Sequence, residues 1–200
     1  MERALAAWFL LAMSPAAAGS PTEVVQLAVH EVVQVARAED AERRQVQIRR
    51  IANRVFDWGE MARRALAHHW TDRTAQQREE FSQLFADVLG SAYFGKLERY
   101  AGEKIVFVGE QVDGRFATVK SKIMAGERGE IPVEYRLHMV GPRWAVYDVL
   151  IDGVSFVGSS RTRFNRIIQT SSYENLVRQL KSKLASLGPA TQARGSSAEP

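Results

Sequence analysis

In residues 143–156 (RWAVYDVLIDGVSF) nearly every position is apolar until a turn signal at Asp152-Gly153. A strand with one face in water alternates between apolar and polar side chains. One that does not alternate is apolar on both faces. Simple alternation puts Ala145, Tyr147, Val149 and Ile151 on one face and Trp144, Val146 and Leu150 on the other. One face is served by ordinary core. The second needs another apolar partner, either more protein or a bound apolar ligand.

The rest of the chain divides into helices, then strands, then helices. Ser20-Pro21-Thr22-Glu23 is a capping box with proline at the first helical position, and Val24, Val25, Leu27, Val32 and Val35 follow it. Asp40 can cap a second helix carrying Ile48, Ile51, Val55 and Phe56. Asp57 and Glu60 start a short third through Met61 and Leu66. Thr74 and Gln77 form a further capping box, opening the longest helix over about residues 75–100, ending at Gly102. Its stripe runs Phe81, Leu84, Phe85, Val88, Leu89, Ala92, Tyr93, Leu97 and Tyr100, at helical spacing. Four strands are predicted at about 103–110, 115–124, 131–140 and 143–152, with Asp113-Gly114 and Gly141-Pro142 as turns. The third is the cleanest, with Ile131, Val133, Tyr135, Leu137 and Met139 opposite Glu134, Arg136 and His138. Two closing helices carry Phe164, Ile167 and Ile168, then Leu176, Val177, Leu180 and Leu184, with Ser171 to Glu174 as a capping box between them. There is no internal repeat and no second domain.

The termini stand apart. Met1 to Arg3 is a short basic n-region, Ala4 to Met13 is an apolar run, and Ala16-Ala17-Ala18 offers small residues for cleavage. A run this short matches a secretory h-region and falls below the ~20 residues needed to span a bilayer. Residues 1–18 are therefore expected to be a signal peptide cut near Ala18, with a single domain over 19–187. Residues 188–200 are Gly, Ser, Ala, Pro and charge, a tail with too little apolar surface to fold. The chain has no cysteine, hence no disulfide framework, thiolate nucleophile or lipid-anchoring thiol. Its net charge of +4 is unchanged without residues 1–18, where Glu2 and Arg3 cancel. Export argues against nucleic acid as the partner, and mild basicity suits anionic membrane surfaces or acidic proteins.

The residue patterns of the common catalytic motifs are not completed in this sequence. Ser155 follows a glycine-valine pair, but a nucleophile elbow needs glycine at 157, where the chain has Val157. Asp148 and Asp152 are four residues apart on a strand, about 13 Å, too far for a glycosidase pair. Asp152 reads as a turn residue. His68-His69 is the only histidine pair; neighbouring helical side chains diverge, and no third ligand sits at metal-site spacing. No P-loop or dinucleotide fingerprint is present. The expectation is no enzyme, no metal and no cofactor. Arg161, Arg163, Arg166, Arg178, Lys181 and Lys183 form either a solvated helix face or a surface for an acidic partner or phosphate head groups.

Certain residues, in order, carry a resemblance. They are Phe56-Asp57 with Met61 to Leu66, then Trp70, Gln77-Arg78 with Phe81 and Leu84-Phe85, Tyr93, and Tyr100 with Gly102-Glu103. Ile131-Pro132-Val133 with Tyr135-Arg136 follow, then Trp144 with Val146-Tyr147-Asp148 and Gly153-Val154-Ser155. Together they resemble the periplasmic phospholipid-binding proteins of the Mla pathway (MlaC-type, also called toluene-tolerance proteins) over about residues 20–186. The resemblance implies an α+β fold, with helices packed over a curved, mainly antiparallel four-stranded sheet enclosing a deep apolar pocket. It implies a monomeric periplasmic carrier with phospholipid as cargo, acyl chains inside the pocket and the head group at its mouth. Its partners would be the lipid-binding subunit of an inner-membrane ABC transporter and an outer-membrane lipoprotein–porin complex, and its role the upkeep of outer-membrane lipid asymmetry. A hopanoid or other lipid cargo, and a periplasmic protein–protein adaptor, are the alternatives.

Within that frame Tyr93 and Leu97, late on the long helix, are expected at the pocket with Val133, Tyr135 and Leu137 of the third strand. Val146 and Ile151 are expected on opposite faces of the fourth strand, so that only one touches ligand. Val154 is expected at the rim, and Phe164 and Ile168 closing the cavity. Arg161, Arg163 and Arg166 are expected to meet the partner or the head group.

Overall fold

The computed structural model describes residues 19–36, 40–97, 103–126 and 129–187, without the side chains of residues 41, 42 and 93–97. The expected signal segment 1–18, the tail 188–200 and the helix end at Tyr100 to Gly102 lie outside the described residues.

Four helices come first: α1 (Pro21–Ala36), α2 (Ala41–Val55), α3 (Trp58–Leu66) and α4 (Ala75–Leu97). Their start signals act as the sequence predicts. The Ser20 hydroxyl accepts from the Glu23 N–H at 3.1 Å while the Glu23 carboxylate accepts from the Ser20 N–H at 2.8 Å. Thr74 and Gln77 make the same reciprocal pair ahead of α4. Asp40 caps α2 and Asp57 caps α3. Each cap satisfies amide donors that the first helical turn leaves without partners.

Five strands follow, not four: β1 (Lys104–Asp113), β2 (Phe116–Met124), β3 (Glu130–Val140), β4 (Arg143–Ile151) and β5 (Val154–Ser155). They pair in sequence order, all antiparallel. The fifth exists because Asp152 and Gly153 both take positive φ, 51° and 75°, as a tight two-residue hairpin requires. The Asp-Gly signal ends one strand and folds the next two residues back along its edge. Two helices close the chain, α5 (Phe156–Thr170) and α6 (Tyr173–Ser186). The cap of α6 is Ser172, which accepts from the Asn175 N–H, and not Ser171. Ser171 is already engaged as the C-cap of α5, its N–H donating to the Ile167 carbonyl.

Two apolar clusters organise these parts. In one, α1 and α2 lie over one face of the sheet, packing Val25, Ala28, Ile51 and Val55 against Val119, Val133, Leu137, Val146 and Val149. The other is helical: Met61, Leu66, Phe81, Phe85, Phe164, Leu176 and Leu180, from α3 to α6. Phe164 sets its edge against both Phe81 and Phe85, with ring centroids 5.8 and 5.7 Å away. Strand β4 lies between the two, with α2 on one side and α3 and α5 on the other. Its two-sided apolar pattern has this cause.

The strand does not alternate simply. Arg136 pairs with Asp148 but Leu137 pairs with Val146, leaving Tyr147 as an extra residue in a β-bulge. The bulge resets the parity, so Trp144, Val146, Val149 and Ile151 share the face that meets α1 and α2. The predicted split of Val146 from Ile151 is corrected by that one residue. Tyr147 turns the other way, under the Arg64 guanidinium at 4.1 Å and against the edges of Phe116 and His138.

Candidate functional site

A cavity of about 730 Å³ lies between the α1–α2 pair and the sheet. Its walls come from Val25, Ala28, Val29, Val32 and Val33 of α1, Ile48, Ile51 and Val55 of α2, and the cavity face of β1 to β5. All its lining side chains are aliphatic or phenyl except Tyr135 and Glu103. Such a volume, with few polar groups, is that of a site for a small apolar molecule.

The expected site residues divide by position. Val133, Tyr135, Val146, Ile151 and Val154 all line the cavity. Val146 and Ile151 do so together, because of the bulge. Val154 is 59% exposed and stands at the rim, held there by the Asp152–Gly153 hairpin. Leu137 shares the sheet face but is fully buried in packing and does not line the space. Phe164 and Ile168 are placed in the helical cluster, because α5 turns its apolar side to α3 and α4 rather than to the sheet. The side chains of Tyr93 and Leu97 lie outside the described residues.

The α1–α2 wall was not assigned to the site from sequence, although a signal for it existed. Helix α1 carries valine at 24, 25, 29, 32, 33 and 35, more apolar width than one stripe needs.

The polar groups around β4 are structural. Asp148 is buried; it accepts from the Ser155 hydroxyl at 2.6 Å and from the Val157 N–H at 3.1 Å. Ser155 in turn accepts from the Gly158 N–H at 2.7 Å, capping α5. No histidine reaches this serine among its hydrogen bonds, so the pair seats a helix rather than activating a nucleophile. Asp57 caps α3 and also meets His138 Nε2 at 3.0 Å. Its N–H donates to the Val146 carbonyl, extending the β4 edge by one bridge at Phe56.

His68 and His69 sit in a 3-10 turn (Ala67–Trp70), where their rings approach to 3.8 Å instead of diverging. His69 bonds Asn165, and among the described residues no group of three His, Asp or Glu could hold a metal. A separate polar cleft of about 450 Å³ between α2 and α4 is crossed by the Arg49–Asp87 ion pair and does not join the apolar walls.

Burial pushes the Tyr135 phenol above its ordinary range, with the nearby Ser121 hydroxyl pulling it partly back. Tyr135 keeps some accessible surface although protein surrounds it closely, and that surface belongs to the cavity it lines.

Arg161, Arg163 and Arg166 are exposed on α5, whose first residue, Phe156, lines the cavity. At ~1.5 Å per residue they stand about 8, 11 and 15 Å along the helix from it. Arg161 donates to the Arg64 carbonyl at 2.9 Å. No helix among the described residues is long and apolar enough to cross a membrane.

Comparisons with known proteins agree with this architecture. The chain is 23% identical over 124 residues to the intermembrane phospholipid transport system binding protein MlaC of Haemophilus influenzae. That match covers 59% of this chain and spans 58% of the length of that relative. The fold is similar to that of a solved phospholipid-binding protein from Ralstonia solanacearum, in complex with a phospholipid. The TM-score is 0.75 at 19% identity, over 82% of this chain and 97% of that one. The family model described as MlaC protein matches residues 24–182, from the first helix through the last, and the chain belongs to that family.

Proposed function

We propose that this protein is a periplasmic phospholipid carrier whose cavity takes the acyl chains and leaves the head group at the Val154 rim. The observation that carries the reading is the apolar lining of the 730 Å³ space between α1–α2 and the sheet. The phospholipid bound by the Ralstonia protein of similar fold, and the transport role in the name of the Haemophilus relative, support it. On this reading the helices and the curved sheet enclose a deep pocket, and residues 1–18 direct export and are removed. The carrier shuttles lipid between an outer-membrane lipoprotein–porin complex and the lipid-binding subunit of an inner-membrane ABC transporter, maintaining outer-membrane asymmetry.

The energetics favour a hand-over rather than free release. Each buried methylene contributes about 0.8 kcal/mol, so a chain of some fifteen amounts to roughly 12 kcal/mol gross. Escape through water is correspondingly slow, and transfer needs a partner that offers a continuous apolar path. On this reading the exposed arginines of α5, Arg163 and Arg166, meet such a partner.

Organic extraction and native mass spectrometry of the purified protein test the reading. Stoichiometric co-purified phospholipid is expected. A protein that is empty, and stays empty after incubation with vesicles, would remove the carrier and favour the adaptor.

A further inference from the structure

Strand β1 is an open edge of the sheet. It pairs with β2 on one side, and among the described residues no strand pairs with the other. Seven of its ten residues are exposed, with Val108 at 52% and Val112 at 50%. A long, partly apolar edge is a template for another strand.

The hairpin fixes which backbone groups point outward. Asp113 pairs with Phe116 across the two-residue loop Gly114-Arg115, where Gly114 takes a φ of 54°. The residues flanking such a loop exchange hydrogen bonds, and bonded and non-bonded positions then alternate along the pair. Val112 and Glu110 are therefore not bonded to β2 and turn their N–H and C=O groups outward. Val108 is looped out as a bulge, between Phe107 opposite Ser121 and Gly109 opposite Lys120. Beyond it the alternation makes Phe107 and Ile105 the outward residues.

A second copy of this strand, run antiparallel, meets these requirements in one register. Val108 and Gly109 then lie at the two-fold axis. Ile105 faces Val112 of the second copy, and Phe107 faces its Glu110. All four turn their backbone outward, so each facing pair exchanges hydrogen bonds. Their side chains also agree. In an unbroken strand positions 105 and 112 would point to opposite faces. The bulge brings both to the face that carries Ala117, Val119 and Ile123. At the ends Lys104 meets Asp113 of the second copy, opposite charges on the reverse face. A bulge ordinarily spoils an edge for pairing. This one lies at the midpoint, meets its own copy and leaves both arms in phase.

We infer that two copies of this chain associate through β1, edge to edge about a two-fold axis, into one continuous antiparallel sheet. The partner is a second copy because face, backbone phase and charge agree in the same register. An unrelated strand would have to match all three. The inference departs from the monomer that the resemblance implies, and it stands whatever the cavity holds. It sets Ile105, which lines the cavity, beside the second copy. The two cavities then open on the same face of the joined sheet, on either side of the axis.

The test is sedimentation equilibrium of the full mature chain at low salt, from low micromolar to millimolar concentration. Wild type should be half dimer at about 100 μM, the strength of a small transient interface. Val112→Pro removes one outward N–H, a change that an edge strand tolerates, and should leave a folded monomer throughout. Lys104→Asp or Asp113→Lys sets like charges opposite each other at both ends and should weaken association about tenfold. The two together restore opposite charges and should bring back the wild-type strength. Circular dichroism checks each fold, and should Val112→Pro not fold, the charge exchange carries the test alone. A wild type that is monomeric up to the millimolar range overturns the inference. So does a dimer that is indifferent to these changes, or one that the paired exchange does not restore, since it then forms through another surface.

Discussion

Replacing Ile151 by glutamate asks which face of β4 meets the cargo. Ile151 lines the cavity, opposite Val133 on one side and Val154 on the other. Leu150, its neighbour in sequence, lies on the reverse face, opposite Glu134 and Ser155. A carboxylate at 151 beneath an acyl chain must give up either its hydration or its charge. Taking a proton at pH 7 costs the gap from an ordinary glutamate pKa of about 4.3, ~2.7 units at ~1.36 kcal/mol each, about 3.7 kcal/mol. Lipid retention should fall by up to roughly 500-fold. Since Ile151 is half-buried, that is a ceiling. At pH 5 the gap shrinks to ~0.7 units, and the loss to roughly fivefold. Leu150→Lys supplies the control: its charge lies beside Glu134 on the other face and should leave lipid content at the wild-type level. The assay is phospholipid per protein after vesicle loading and gel filtration, at pH 7 and pH 5. Wild-type loading of Ile151→Glu at pH 7, or an equal loss in Leu150→Lys, would refute the placement.

Other expectations concern the frame around the cavity. Asp148→Ala strands the Ser155 hydroxyl and the Val157 N–H; at about 1–3 kcal/mol each, the loss is about 2–6 kcal/mol, or roughly 6–18 °C in Tm. A melt within about 2 °C of wild type would contradict the capping role. Glu60 is pushed up by burial, but hydrogen bonds and charge from Arg63 and Arg64 outweigh this and hold its pKa below the ordinary value. Its contribution is therefore present above about pH 4 and lost as pH falls through its folded value. Glu60→Gln should lower stability by about 1 kcal/mol at pH 7, and the difference should shrink as pH falls through the folded value, as read in urea titrations. Arg163→Glu with Arg166→Glu should slow lipid transfer to partner-bearing membranes several-fold at low salt while lipid content stays constant. Transfer at the wild-type rate would remove α5 from the docking surface.

The helix starts and the strand order were legible because they rest on local chemistry. Ser20, Asp40, Asp57 and Thr74 each cap within three residues of themselves. The Asp152–Gly153 hairpin was half legible: the dipeptide announces a turn, but two residues are too short to reveal β5. The bulge was not legible, since nothing in Val146-Tyr147-Asp148 says which residue is surplus until β3 sets the register. Nor could Phe164 be told from a cavity residue. An apolar helix position says that it is covered and not by what, and Phe81 and Phe85 come from far back in the chain. Reading the valines of α1 as one side of a core missed that two packed layers can stand apart and leave room.

The bulge at Tyr147 gives β4 something strands rarely have, which is slack in length. Elsewhere in a paired strand, losing one residue inverts every side chain beyond the loss. Here the extra residue is already looped out of the pairing between Val146 and Asp148. Deleting it would close the ladder and leave Trp144, Val146, Val149 and Ile151 facing as they do now. The strand can therefore lose this one residue while the cavity wall stays in place, and what goes with it is the ring that lies under the Arg64 guanidinium.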